Sequence, residues 1–284
     1  MPSIVRHVAA ADGTDLLVRH WPTDEAEAGG AWAGPSWASV LLVHGLGEHS
    51  GRYEYVGDQM TAAGLDVSAY DQRGMGGSGG RRGDVERWSQ FHDDLAERLA
   101  VVRAGAGDRP VVLYGHSLGG LVAAGYLLGD RPKPDLAVLS SPALDSTLPG
   151  WKKRLAIVMA RVAPTFEIPN GIKGDTISRD PSVAAKKVGD PFCVEVSTAR
   201  FGAAGLAEQA RVRHGCTRGF GIRTLVQHGE DDRLVPASAS EILATAPLVE
   251  RRTFPGLRHE LHNEPEGPEI VDGVIAWLRE ARPR

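Results

Sequence analysis

The stretch that most constrains this chain is Val111-Val112-Leu113-Tyr114-Gly115-His116-Ser117-Leu118-Gly119-Gly120-Leu121-Val122-Ala123-Ala124. A β-branched and aromatic run stops at Gly115, and a small-residue helical pattern begins just past Ser117. Glycines stand two residues before and two residues after the serine. That spacing describes a strand, a sharp turn and a helix, with the serine on the turn. A serine held at an unfavourable backbone angle draws strand and helix so close that side chains at the flanking positions would clash. The hydroxyl is left exposed, and the helix N-terminus behind it offers N–H groups to developing negative charge. Ser117 is the candidate nucleophile.

The pattern is short enough to arise by accident. With 35 glycines in 284 residues, an accidental match is expected about once in four such chains. A second match does occur, at Gly76-Gly77-Ser78-Gly79-Gly80. Ser78 has no strand directly before it and no apolar helix after it, so it reads as a flexible loop. Context selects Ser117.

The chain is long enough for a large core within one α/β domain. Its 42% hydrophobic and 24% charged residues are those of an ordinary globule, and the net charge of −4 mixes both signs. No basic patch points to nucleic acid, and no acidic tail to a regulatory arm. The first residues lack a basic segment followed by an apolar run, and no stretch approaches the roughly 18 apolar residues of a membrane span. The expectation is a cytoplasmic protein, peripheral at membranes if it meets them. Cys193 and Cys216 fit no metal or redox spacing, leaving free thiols or a bridge between them.

Residues 4–10 and 16–21 flank Asp12-Gly13, a hairpin signal. Residues 23–36 form a polar surface connection. Residues 38–43 are a continuous apolar run, as expected of a strand buried on both faces. A helix over 51–63, a strand over 65–70, a Gly- and Arg-rich loop over 71–82 and a helix over 87–104 follow; in the last, Phe91, Leu95, Leu99 and Val102 recur at helical spacing. After a short strand over 136–139 the alternation breaks, and residues 141–219 carry a dense apolar stretch over 155–162 without clear order. The alternation resumes with strands over 222–227 and 249–254 and helices over 237–246 and 269–281. The fold class is therefore α/β, a mostly parallel sheet flanked by helices, with core residues 1–140 and 220–284 and an inserted cap over 141–219.

An activated serine needs a base, and the base an orienting acid. In a strand–elbow–helix fold the chain order is serine, acid, histidine. The strand over 222–227 runs into His228-Gly229-Glu230-Asp231-Asp232-Arg233-Leu234-Val235, and the next strand into Gly256-Leu257-Arg258-His259-Glu260-Leu261-His262. Carboxyl ends of parallel strands are where active sites form. Two aspartates and two histidines compete. Upstream, the apolar strand over 38–43 enters His44-Gly45-Leu46-Gly47-Glu48-His49, the place of the loop that donates one oxyanion N–H; the residue after the nucleophile donates the other. The candidate donors are the backbone N–H groups of Leu46 and Leu118. His44, His116 and His228 read as structural residues.

Together, His44 to Tyr53, Asp71-Gln72-Arg73-Gly74, Gly115 to Gly119, His228 to Val235 and Gly256 to His259 resemble the motifs of monoacylglycerol lipases and related lysophospholipase-like serine hydrolases of the α/β-hydrolase superfamily. Ile177-Ser178-Arg179-Asp180-Pro181 and Asn263-Glu264-Pro265-Glu266 resemble bacterial members. The motifs lie in the family's order from about residue 40 onward. The resemblance implies Asp232 as the acid, with Asp231 in reserve, and His259 as the base. It also implies a glycerol pocket at Glu48, Arg52 and His262, which otherwise read as an ion pair and a packed histidine. One departure is Met75, where the family usually has histidine.

The implied reaction is hydrolysis of monoacylglycerols to glycerol and fatty acid through an acyl-enzyme, with no metal or organic cofactor. The runner-up is a broader carboxylesterase or lysophospholipase using the same residues. A catalytically dead binding module would normally lack a triad member, and haloalkane- or epoxide-type chemistry would need aspartate at Ser117. The implied partners are a small lipid ester and, through the cap, transient contact with lipid surfaces. Residues 155–162 would be either a lid over an acyl tunnel or the core of a small cap. The oligomeric state expected is monomer or homodimer.

Overall fold

The computed structural model describes residues 3–23 and 35–282. The connection expected over 23–36 lies almost wholly outside them. Strands β1 (Ile4–Ala9) and β2 (Asp15–Trp21) form the expected hairpin. Next come β3 (Ala38–Val43), α1 (Glu54–Ala62), β4 (Leu65–Tyr70), α2 (Ser89–Ala106), β5 (Val111–His116), α3 (Leu118–Leu127) and β6 (Leu136–Ser140). The following span contains α4 (Gly150–Val162), β7 (Glu167–Pro169), α5 (Gly174–Ile177), α6 (Pro181–Lys187), β8 (Val196–Thr198) and α7 (Ala199–Gly215). The chain closes with β9 (Arg223–Gly229), β10 (Val249–Phe254) and α8 (Gly267–Ala281).

Eight strands make one sheet in the order β1-β2-β4-β3-β5-β6-β9-β10. From β4 to β10 every neighbouring pair is parallel, and the hairpin adds an antiparallel edge. This is the α/β-hydrolase architecture that the motif order implies. The central strands alternate between two cores, because successive side chains leave a strand on opposite faces. Leu41, Val43, Val111 and Leu113 face α2, α3 and α7; Val40, Leu42, Val112 and Tyr114 face α1 and α8. Met75, the departure from the family pattern, is fully buried in the first of these cores.

Two local differences from the sequence reading have physical causes. Ala237–Thr245 winds as a 3-10 helix rather than an α-helix. There the Ser240 and Thr245 hydroxyls donate back to Ala237 and Ile242 carbonyls, competing with the α-helical ladder. The second is α7, a 17-residue helix inside the span that showed no order. Its Gly- and Ala-rich stretch lacks an apolar stripe; Thr198 caps it by accepting from the Phe201 N–H, and Phe201, Val212 and Cys216 join the core beside α3. Cys193 and Cys216 are free thiols.

The tightest point is the β5–α3 junction. A β-carbon on Gly119 would stand 2.1 Å from the Val43 carbonyl oxygen, and one on Gly115 2.6 Å from the Gly119 oxygen. Gly119→Ala is expected to destabilise the fold by about 1–3 kcal/mol, the usual range for overpacking. Gly105→Ala in α2, where a β-carbon meets nothing, should stabilise slightly. Thermal unfolding of both variants decides; a Gly119→Ala protein as stable as the parent would mean that strand and helix do not close there.

Candidate active site

Ser117 has φ of 51° and ψ of −114°, a left-handed backbone that a non-glycine residue adopts only under constraint. Its N–H donates to the Ser140 carbonyl at 2.9 Å, and its own carbonyl accepts from Leu121 and Ala143 N–H groups at 3.0 Å each. These bonds tie the turn to β6, to α3 and to the loop beyond β6. The hydroxyl that they hold out donates to His259 Nε2 at 2.8 Å.

His259 and Asp232 reach the serine from the loops after β10 and β9, at the carboxyl edge of the sheet. His259 Nδ1 donates to Asp232 Oδ2 at 2.6 Å, which leaves Nε2 free to accept from Ser117. Asp232 Oδ1 accepts from the N–H groups of Leu234 and Val235 at 2.8 and 2.9 Å, so its own loop holds it. His228 adds a donor to Asp232 from Nε2 at 3.2 Å, and the same nitrogen reaches the Val235 carbonyl. Asp231 takes no part in this chain of bonds.

Burial alone would disfavour the charged form of each group. For Asp232, the opposite charge of His259 and the hydrogen bonds from His228 and His259 outweigh it, holding the carboxyl well below the usual range. For His259, burial is overcome by the charge and hydrogen bond of Asp232, so its pKa is raised. His44, His116 and His262 lack such a partner, and burial lowers all three. Neighbouring imidazoles thus separate into one poised to take a proton and three kept neutral.

The loop after β3 crosses the elbow. The N–H groups of Leu46 and Leu118 face no acceptor among the described residues, whereas Gly45 N–H is taken by Glu48 Oε1. Glu48 is a buried carboxylate that also accepts from Tyr53 Oη at 2.7 Å and from Arg52 Nε at 3.2 Å. Burial opposes its ionisation, but neighbouring positive charge and these donors pull its pKa below the ordinary range. Since His116 stays neutral, Arg52 is the standing cation. Arg52 also pairs with Glu260 at 2.7 Å. His262 stacks on Tyr53 with ring centres 4.7 Å apart, and both of its ring nitrogens lack a described partner. Glu48, Arg52 and His262 are therefore neighbours, but only Glu48 lines the cavity beside Ser117.

That cavity has a volume of about 340 Å³ and opens onto Ser117 and His259. Its walls are mainly apolar: Leu46, Leu118 and Leu121 from the core, Ile172 and Ile177 from the cap segment, Phe201 and Leu206 from α7. The cap segment also holds the loops. Val194 N–H donates to the Gly47 carbonyl, and Glu260 N–H to the Ile177 carbonyl at 2.8 Å. Arg179 donates to Glu264 at 2.8 Å, and Ser178 Oγ to the Asn263 carbonyl at 2.7 Å. The two motifs around Arg179 and Glu264, 85 residues apart, are thus partners, a pairing that neither spacing nor periodicity signals.

A strained serine, a histidine and an aspartate at successive strand ends, and a covered parallel sheet define an α/β-hydrolase built for serine chemistry. Residues 34–266 match the family described as serine aminopeptidase, S33, and the chain belongs to it. It is 34% identical over 249 residues to the monoacylglycerol lipase of Mycolicibacterium smegmatis, covering 84% of this chain and 87% of that protein. It is 29% identical over 278 residues to the human monoglyceride lipase, covering 95% and 87%. Among solved structures, the Paleococcus ferrophilus monoacylglycerol lipase superposes with a TM-score of 0.80 at 26% identity, covering 99% of this chain and all of that one.

The electrostatics make a testable claim. A histidine whose pKa is raised by folding contributes stability that is present below its unfolded value of about 6.5 and is lost as pH rises through the folded value. Asp232→Asn removes the charge that raises it. The imidazole resonances of His259, followed by NMR titration, should then move to lower pH, since burial is left unopposed. An unchanged midpoint would mean that Asp232 is not its electrostatic partner.

Proposed function

We propose that Ser117 attacks the ester carbonyl of a monoacylglycerol, releasing glycerol and leaving the acyl chain on the enzyme. His259 takes the hydroxyl proton and passes it to the leaving alcohol, then deprotonates the water that frees the fatty acid. Asp232 fixes the imidazole tautomer and stabilises its charged form. The N–H groups of Leu46 and Leu118 receive the oxyanion; each such donor is typically worth a few kcal/mol. The observation that carries the reading is the unbroken bond chain Ser117–His259–Asp232, with Ser117 and His259 lining a mainly apolar cavity. The enzyme is a carboxylic ester hydrolase.

The glycerol end is Glu48, backed by Arg52 and His262. Its support is a buried carboxylate on the cavity wall and an imidazole whose ring nitrogens await partners. The acyl end is the cavity under the cap. Helix α4 buries none of its side chains and exposes Trp151, Leu155, Val158 and Val162 among Lys152, Lys153, Arg154 and Arg161. That mixture suits transient contact with an anionic lipid surface. Among the described residues, no helix is long and apolar enough to cross a membrane.

The test is steady-state hydrolysis of 1-monolauroylglycerol, dilauroylglycerol and lysophosphatidylcholine by the parent and Ser117→Ala. The monoglyceride should turn over fastest, and the substitution should remove activity by about three orders of magnitude or more. Equal rates on all three lipids would keep the serine chemistry and refute the glycerol pocket. Activity surviving in Ser117→Ala would refute the mechanism. Asp232→Asn should lower kcat by about ten-thousand-fold, the cost of the wrong imidazole tautomer.

A further inference from the structure

Helix α7 presents Phe201, Gly202, Gly205, Leu206 and Gln209 to the cavity. At about 100° per residue these five positions cover an arc of roughly 140°, and both glycines fall inside it. A glycine within a helix costs stability relative to alanine, because its unfolded backbone has more freedom to lose. Three circumstances ordinarily require one: a left-handed backbone, a colliding neighbour, or a helix end.

None applies here. Neither residue has a positive φ, and they are the fourth and seventh residues of the Ala199–Gly215 helix, past its Thr198 cap. A β-carbon on Gly202 would meet nothing within 4 Å, and one on Gly205 would make ordinary contact with Trp88 at 3.5 Å. Gly125 and Gly174 behave differently: there a β-carbon would stand 1.8 Å from Glu208 and 2.2 Å from Ala184. If Gly202 existed to let α4 pack closely, an atom of α4 would stand near its missing β-carbon, and none does. What the absent side chain leaves is cavity.

We propose that Gly202, with Gly205 beside it, sets the depth of the acyl cavity and so admits an acyl chain long enough to run past α7. The inference rests on the ester-hydrolase reading and names the substrate class within it, esters of medium and longer unbranched acids. Ser117 and the α7 face line the same cavity. Side chains placed at 202 would project into the room that the distal methylenes need. Short acyl groups, which stay near the serine, would not reach it.

The experiment compares kcat/KM for p-nitrophenyl butyrate and laurate in the parent, Gly202→Ala and Gly202→Leu, with Gly105→Leu on the exposed side of α2 as the control. Loss of room for a methylene in an apolar pocket is worth about 10–200-fold. Gly202→Leu should therefore cut the laurate-to-butyrate ratio at least tenfold while butyrate stays within about threefold of the parent. Gly202→Ala should give a smaller change in the same direction, and it keeps the test decisive if the leucine protein folds poorly. The control should leave the ratio alone, and melting temperatures should not fall, since each substitution improves helix propensity. An unchanged ratio in folded Gly202 variants overturns the inference while leaving the esterase reading intact. A parent that cleaves neither ester overturns both.

Discussion

The structure depends on one close approach, that of the β3 end to the first turn of α3. Only hydrogen at Gly119 lets the helix begin against the Val43 and His44 carbonyls. Three consequences follow from that contact. Ser117 must take its left-handed conformation, because strand and helix are too close for a relaxed turn. The loop leaving β3 must pass directly over the elbow, so that Gly45 stands within 3.1 Å of the Ser117 β-carbon, measured from where its own β-carbon would be. Leu46 of that loop and Leu118 of the helix then line the same cavity as the serine. Strain at one residue is offset by the hydrogen bonds of Ser140, Leu121 and Ala143.

The second requirement is to keep two carboxylates ionised inside the protein. Each is satisfied mainly by its own loop. Asp232 takes two N–H groups from the turn that it begins, and Glu48 takes the N–H of Gly45 and the hydroxyl of Tyr53. A buried charge without such donors would neutralise instead. The division of labour among the imidazoles is a consequence of where these carboxylates sit. His116 lies 5.0 Å from both His259 and His262, ring centre to centre, yet of these three only His259 shares a hydrogen bond with an ionised acid. Of the three, His259 alone has its charged form favoured.

Legibility from sequence follows how local each constraint is. The elbow is read from five consecutive residues, and the alternating cores from runs such as Val40 to Val43, because strand geometry is decided nearby. Choosing Asp232 over Asp231, and His259 over His262, needed the resemblance, since both members of each pair sit in the right loop; the geometry brings Asp232 and His259 together. Helix α7 is hidden because its cavity face is broken by Gly202 and Gly205, residues that carry no hydrophobic signal. The Arg179–Glu264 link was hidden because its partners are joined only through the fold. Of Glu48, Arg52 and His262, which the motif presents alike, only Glu48 lines the cavity, and Arg52 is held behind it between Glu48 and Glu260.

The cap is not uniformly attached, and this bears on which wall of the cavity has a fixed shape. Its later segment is fastened to both active-site loops, through Val194 to Gly47 and through Ile177, Ser178 and Arg179 to the residues after His259. Displacing that segment would unsettle the loop after β3 and the loop that carries His259 together. Helix α7 is anchored more firmly still, with Val212 and Cys216 in the main core and Thr198 and Arg200 bonded to buried Asp84. Helix α4 has no fully buried side chain and packs along one side on α7, with Ala156, Met159 and Ala160 half-buried. Local stability tracks buried apolar contact, so α4 is the soft wall and α7 the hard one. A yielding wall sets only a loose limit on the length of a bound chain. The discriminating surface has to be the one that does not give, and on α7 that surface carries Gly202 and Gly205 between Phe201, Leu206 and Gln209.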